Sequence, residues 1–306
     1  MSEVFIWAAV YLTVMFLGYI FKRISLFKAE DRKLLSNIIL YITLPAMLVS
    51  SFTGVTVDFW YLIACALGTG LNALMVLLAR LASAKKTPEL QAIYIINGAG
   101  LNLGNIGIPF LQNFFPSGIP YLCMFDVGDC VFTLGTTYAI AAIHLGKKSD
   151  SKLLSIFKSL LSSPPFVTYL TMVILTAAHI TLPSFLLTLA DFAGRGNGFL
   201  AMLMVGISLE LNLDKRSRGE VFRLLLLRYF SGAVVALLIM LFIPAPTIMK
   251  QILSVAVFAA APNVGLIYTG RLGISTEIPG ALNTISTLLM IPVMSLVMVL
   301  VQSVPC

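Results

Sequence analysis

The sequence predicts an all-α membrane protein with ten transmembrane helices arranged as two inverted five-helix repeats. Three observations predict it. Of the 306 residues, 59% are hydrophobic and only 11% are charged, against about 45–50% and about 25% in an ordinary soluble domain. Ten apolar segments are long enough to span a bilayer, and lysine and arginine collect in alternate loops. So large an apolar excess cannot be hidden in one core, so lipid must be the solvent for much of the surface. A single membrane domain over 1–306 is expected, without a separate soluble module.

A helix needs about 20 apolar residues to cross a hydrocarbon core, with about 17–25 tolerated. The segments are Val4 to Phe21, Leu35 to Ser51, Phe59 to Leu78, Leu90 to Phe115 and Tyr121 to His144, then Pro165 to Ile180, Phe185 to Leu209, Val221 to Ile243, Thr247 to Gly270 and Ile278 to Gln302. The first is followed directly by Lys22 and Arg23 and has no preceding positive charge, so it reads as a retained span and not a signal peptide.

Basic loops stay on the cytoplasmic side. Lys22, Arg23, Lys28, Arg32 and Lys33 follow span 1; Arg80, Lys85 and Lys86 follow span 3; Lys147, Lys148, Lys152 and Lys158 follow span 5. Lys215, Arg216 and Arg218 follow span 7, with Arg223 and Arg228 just inside span 8, and Arg271 follows span 9. Arg195 and Lys250 are the exceptions among the 20 basic residues. The alternation fits ten spans with both termini outside, in a bacterial inner membrane. The net charge of +7 is therefore a topology signal. It is not a nucleic-acid signal, since the basic residues form short clusters and no single face. Cys65, Cys123 and Cys130 sit in apolar runs and Cys306 ends the chain; with no C-x-x-C pair, neither a metal site nor a disulfide framework is expected.

The two halves echo each other. Span 4 contains Gly104-Asn105-Ile106-Gly107-Ile108-Pro109, and span 9 contains Pro262-Asn263-Val264-Gly265-Leu266, with Asn105 and Asn263 158 positions apart. A weaker echo links Ala46-Met47-Leu48-Val49 with Ala201-Met202-Leu203-Met204-Val205, 155 apart. Five spans per half is odd, so the second half (163–306) runs opposite to the first (1–146). Inverted repeats of this kind are typical of secondary transporters.

Gly98, Gly100, Gly104, Gly107 and Pro109 crowd span 4, where interior glycine costs about 1 kcal/mol and proline about 3. A break is expected there, and a milder one at Pro262, which has no backbone N–H. Non-helical backbone at membrane depth must be satisfied by protein, ligand or cavity water. Two readings follow. Either the half-helix N-termini converge at the midplane and hold an anion with backbone N–H groups, without a dedicated arginine, with Asn102, Asn105 and Asn263 lining the break. Or span 4 is a kinked packing helix whose asparagines only satisfy backbone. The matched pair at half-chain offset favours the first.

The run Asn102-Leu-Gly104-Asn105-Ile-Gly107-Ile-Pro109 resembles the broken-helix signature of the auxin efflux carrier family, which includes plant PIN-type carriers and bacterial dicarboxylate carriers. Leu44-Pro45-Ala46, Ser163-Pro164-Pro165 and Gly206 also resemble it. The match spans the whole chain, without a large cytoplasmic loop, as in the short bacterial type. Phe199 or Leu200 stands where the family often has a proline. The resemblance implies a bile-acid-symporter-like fold with crossed helices 4 and 9. It also implies a scaffold of spans 1, 2, 6 and 7, a moving transport domain of spans 3–5 and 8–10, elevator-type alternating access, and a homodimer. The substrate site would lie beside the crossing and use Asn102, Gly104, Asn105, Gly107, Pro109, Pro262, Asn263 and Gly265. The implied substrates are malate- or malonate-like carboxylates or an indole-type acid.

Span 5 holds Asp126 and Asp129, and carboxylates inside a span are functional candidates by default. At i and i+3 they share a face, so both cannot ionise cheaply, and one should hold a proton or share a cation. Asp129 lies roughly 12 Å below Tyr121 along the helix, close to mid-bilayer. The pair is expected to couple H+ or Na+ to transport; a water-exposed pair near the outer mouth is the alternative. Asn283 follows Asp126 by 157 positions and is expected to face the same site. Arg195, Arg223 and Arg228 are expected to snorkel to headgroups, and His144 and His179 to be satisfied at helix ends. No cofactor is expected. An intramembrane aspartyl protease needs carboxylates on separate helices, and both are on one, so enzyme activity is not expected. A passive channel remains the rival to a carrier.

Overall fold

The computed structural model describes residues 2–28, 30–56, 58–147, 161–209 and 217–303, and all regular structure among them is helical. Lys148, Lys152, Lys158, Lys215, Arg216 and Cys306 lie outside the described residues.

Helix α1 is Ser2–Arg23 and α2 is Asp31–Ser51, the latter carrying a π turn at Ile39–Thr43 just before Pro45. Helix α3 (Phe59–Ser83) starts at Asp58, whose carboxylate accepts the Trp60 N–H at 2.9 Å, a standard N-cap. Thr87 caps α4 (Pro88–Gly98), with proline in the first turn, where its missing N–H costs nothing. After a non-helical stretch the chain resumes as α5 (103–111), a π turn leading into one α-turn. Helix α6 (119–144) is interrupted by a π turn at Phe132–Thr136. Then come α7 (Pro164–Ala177), α8 (Ser184–Arg195), α9 (Asn197–Ser208), α10 (Arg218–Phe242), α11 (Thr247–Ala256), α12 (Asn263–Arg271) and α13 (Glu277–Gln302).

Helix covers part of all ten expected segments. Five helices are long and apolar enough to cross a membrane: Val4–Arg23, Asp31–Ser51, Phe59–Ser83, Arg218–Phe242 and Glu277–Gln302. The other five segments differ, each for a local reason. Leu90 to Phe115 is broken after Gly98 in its glycine cluster, and Thr247 to Gly270 is broken between Ala256 and Asn263, just ahead of which stands Pro262. Phe185 to Leu209 divides at Gly196 into α8 and α9. Tyr121 to His144 carries the π turn, and Pro165 to Ile180 yields the 14-residue α7. Large apolar side chains such as Phe5, Phe16, Phe192 and Phe230 are exposed along the helices, as a lipid-facing surface requires.

Helix α1 packs along α9, α8 along the second half of α2, and α7 beside α2. A second set packs together: α3 with α6 and α4, α10 with α11 and α13, and α12 with α4 and α13. The α3–α6 contact is the tightest. A Cβ on Gly68 would run into the Phe125 carbonyl, and one on Gly128 into the Cys65 carbonyl. Both obstacles are backbone, so only separation of the helices would make room. Gly128→Leu is expected to cost about 1–3 kcal/mol or more, read as a lowered melting temperature of the purified protein.

The basic helix ends are held in pairs. Lys22 Nζ donates to the Leu209 carbonyl at 2.7 Å, Lys86 pairs with Glu220 at 2.8 Å, and Lys147 donates to the Leu272 carbonyl. These bonds join the ends of segments 1 and 7, 3 and 8, and 5 and 9.

Candidate functional site

The two breaks lie against each other. Helix α4 ends at Gly98 and α11 at Ala256, and the stretches that follow touch through the Asn102 N–H, which donates to the Ala260 carbonyl at 2.9 Å. Gly100 has φ +80°, a conformation natural to glycine. A Cβ there would stand 2.7 Å from Thr133 Oγ1 and 2.9 Å from Pro262 Cγ. The glycine therefore provides both the turn and the room for the second break.

Arg228 sits between the breaks. Expected to reach toward headgroups, it is instead 4% exposed. Its Nη1 donates to the carbonyls of Asn97 (3.3 Å) and Ala99 (3.2 Å), and its Nη2 to Gly100 (2.7 Å), Ala259 (3.4 Å) and Ala260 (3.4 Å). A dedicated arginine is thus present at the crossing, but it holds backbone carbonyls freed by the unwinding. Arg223 pairs with Glu220 at the exposed start of α10, and Arg195 with Asp191 at 2.6 Å, also exposed.

The N–H sides of the same peptides are held as well. Asp129, 1% exposed, accepts from Leu101 N–H (3.0 Å), Asn72 Nδ2 (2.8 Å) and Thr133 Oγ1 (2.7 Å). The Gly100 N–H donates to Asn72 Oδ1 at 2.6 Å. The peptide joining Gly100 to Leu101 therefore has Arg228 on its oxygen and Asp129 on its N–H, so a buried cation and a buried carboxylate are linked through one amide. On the second break Ser286 Oγ accepts the Ala261 N–H at 3.0 Å, and Asn283 Nδ2 donates to the Ala261 carbonyl at 2.8 Å. Buried backbone polar groups need partners, and side chains supply them here.

Asp126 has a different environment. It is 6% exposed, so the water-exposed alternative for the pair does not hold. Its Oδ2 accepts from Tyr169 Oη at 3.1 Å, a bond from α7 to α6. A Cβ at Gly104 would lie 4.0 Å from Asp126 Oδ2. Nearby in sequence, Asn102 Nδ2 and Asn105 Oδ1 are buried with no partner among the described residues.

A cavity of about 620 Å³ opens between α2 and α9 on one side and α12 and α13 on the other. Arg32, Lys33 and Ser36 line it from α2, and Ser208 from the end of α9. Asn263 lines it from the first turn of α12, and Glu277, Asn283 and Thr284 from α13. No side chain caps α12, and a helix N-terminus carries the positive end of the helix dipole.

Among the residues singled out in the sequence, Pro262, Asn263 and Asn283 come together at this cavity and the break above it. Asn102, Gly104 and Asn105 belong to the other break. Gly107 packs against Ala259, and the carbonyl of Pro109 accepts the Tyr11 hydroxyl at 3.1 Å. At Gly265 a Cβ would run into Asn97 Oδ1, which makes this glycine a contact point of α4 and α12. Sequence reasoning missed Asn72, Tyr169, Ser286 and the depth of Arg228. The first three carried a usable signal, a polar group inside an apolar span. Arg228 lies ten residues into α10, about 15 Å along the axis.

Two helices interrupted side by side in an apolar helical body, with a cavity beside the second break, are features suited to a membrane transport protein. Residues 6–298 match the membrane transport protein family, and the chain belongs to it, the auxin efflux carrier family. An uncharacterized transporter of Methanocaldococcus jannaschii is 27% identical over 214 residues, covering 65% of this chain and 67% of that one. Family and relative are both transporters.

Proposed function

We propose that this protein is a secondary carrier of a small organic anion that works by elevator-type alternating access. Spans 3–5 and 8–10 are the moving unit, and spans 1, 2, 6 and 7 the scaffold, in two inverted repeats with ten crossings. The observation that carries the reading is the cavity beside the second break, lined by Arg32 and Lys33 as well as by Asn263 of the first turn of α12. Cations draw an anion in and amide N–H groups hold it. Met204, Leu266 and Ile267 supply an apolar wall, against which the hydrocarbon part of a malate- or malonate-like carboxylate or of an indole acid would pack.

Read with the basic loops inside, the cavity opens to the cytoplasm and both termini are outside, in a bacterial inner membrane. Elsewhere Tyr11 of α1 donates to the Pro109 carbonyl and receives the Asn113 amide, a contact between the scaffold and the moving unit of this reading, beside a cavity of about 400 Å³. A homodimer through the scaffold rests on the family resemblance.

The test is flux of labelled malate, malonate and indole-3-acetate into proteoliposomes. Saturable uptake with counterflow is expected for at least one acid, and Asn263→Ala is expected to cut it about tenfold or more at unchanged melting temperature, the loss of one good polar contact to a charged ligand. Flux that neither saturates nor shows counterflow would make the protein a channel. Unchanged flux in Asn263→Ala would remove the cavity from the path.

A further inference from the structure

Unwound membrane helices leave carbonyl oxygens without N–H partners, and hard cations are bound by such oxygens. Here five carbonyl oxygens, from Asn97, Ala99, Gly100, Ala259 and Ala260, converge from two segments about 160 residues apart in sequence, and that of Ala260 also accepts the Asn102 N–H. The group among them is a guanidinium, with donors in a planar fork and a charge it does not lose. We propose that Arg228 is a tethered cation: it fills the place that an alkali-metal ion takes at such a crossing, so no sodium binds there.

Three observations converge. Arg228 is buried, so neither it nor its carbonyl partners turn to water. The negative charge such a site needs is Asp129, which reaches Arg228 through the Gly100–Leu101 peptide. The oxygens of Asp129 are taken by three donors, leaving little room for a metal ion. An ion held by its own side chain cannot leave, so the crossing keeps its geometry through every step of the cycle. A mobile ion would have to be loaded before the two breaks could close on each other. The consequence for transport, that the driving ion is not sodium at this site, rests on the carrier reading; the occupancy of the site does not.

The experiment is thermal unfolding of the purified protein in sodium, potassium, choline and low-millimolar guanidinium chlorides at matched ionic strength. Wild type is expected to melt at one temperature in all four. Arg228→Ala is expected to melt about 5 °C or more lower, with guanidinium or sodium, but not choline, restoring at least half of the loss. A saturable, sodium-specific rise in the wild type overturns the proposal. So does Arg228→Ala at wild-type stability, or destabilised with no recovery by either cation. If Arg228→Ala does not fold, the wild-type series decides alone, and Arg228→Lys, with three donors for five carbonyls, is expected to lie between. No flux enters this readout, so failure of the carrier reading shows separately, as absent uptake with the cation pattern intact.

Discussion

Asp129→Ala is expected to destabilise the protein by about 3 kcal/mol or more, since each buried donor left unsatisfied costs about 1–3 kcal/mol. Three donors lose their acceptor together, from Asn72, Leu101 and Thr133. Arg228 loses the countercharge that reaches it through the Gly100–Leu101 amide. No water replaces the carboxylate easily, since the residue is buried among helices α3, α4 and α6. Asp129→Asn keeps one acceptor oxygen for Leu101 and should lose markedly less. Equilibrium unfolding in mixed micelles measures both, and Asp129→Ala within about 1 kcal/mol of wild type would show that the crossing does not depend on this carboxylate.

Much of this site was legible in the sequence because its causes are local. Gly98, Gly100 and Pro262 break helices wherever they are placed, and the structure interrupts the chain beside each. Asn105 and Asn263 matched at half-chain offset, and both lie in the first turn after a break. The halves of the Asp126 and Asp129 pair shared a face in the sequence and are both buried. What separates them is not local. Asp129 meets the peptides of the first break, whereas Asp126 meets a tyrosine from α7, and no spacing rule tells these fates apart. Arg228 was misread for the same reason. On its own helix it is one cation in an apolar run, the usual mark of snorkelling; its carbonyl partners are supplied by chain about 130 residues earlier and about 30 later. Arg32 and Lys33 count only toward orientation in the sequence, whereas the fold places them in the lining of the cavity. Glycines show the converse limit. Gly265 and Gly107 look like parts of a ligand-binding signature, but at these positions the missing Cβ makes room for Asn97 and for Leu103 and Ala259.

The different surroundings of the two carboxylates predict different transport phenotypes. In the proposed division of the fold, Asp126 rides on the moving unit and Tyr169 belongs to the scaffold, so their hydrogen bond at 3.1 Å spans the sliding interface. The groups around Asp126 are Asp129, Cys123 and Cys130 on its own helix and Tyr169 from α7, with Gly104 of α5 and Leu44 of α2 closing the space. A carboxylate accepts a phenol proton strongly, whereas a carboxylic acid accepts it weakly. The latch is therefore closed when Asp126 is ionised and loosened when it is protonated, so wild-type flux should rise as the pH falls. A hydrogen bond to a charged group contributes about 1.5–3 kcal/mol, so Tyr169→Phe should speed flux at alkaline pH by about tenfold or more while changing it little at acid pH. Asp126→Asn should flatten the profile from the other side, by removing the titrating group. Flux of the labelled acids in proteoliposomes across a pH series reads both variants. If both keep the wild-type profile, the proton that drives this carrier, if any, is bound elsewhere, and the bond from α7 to α6 is only packing.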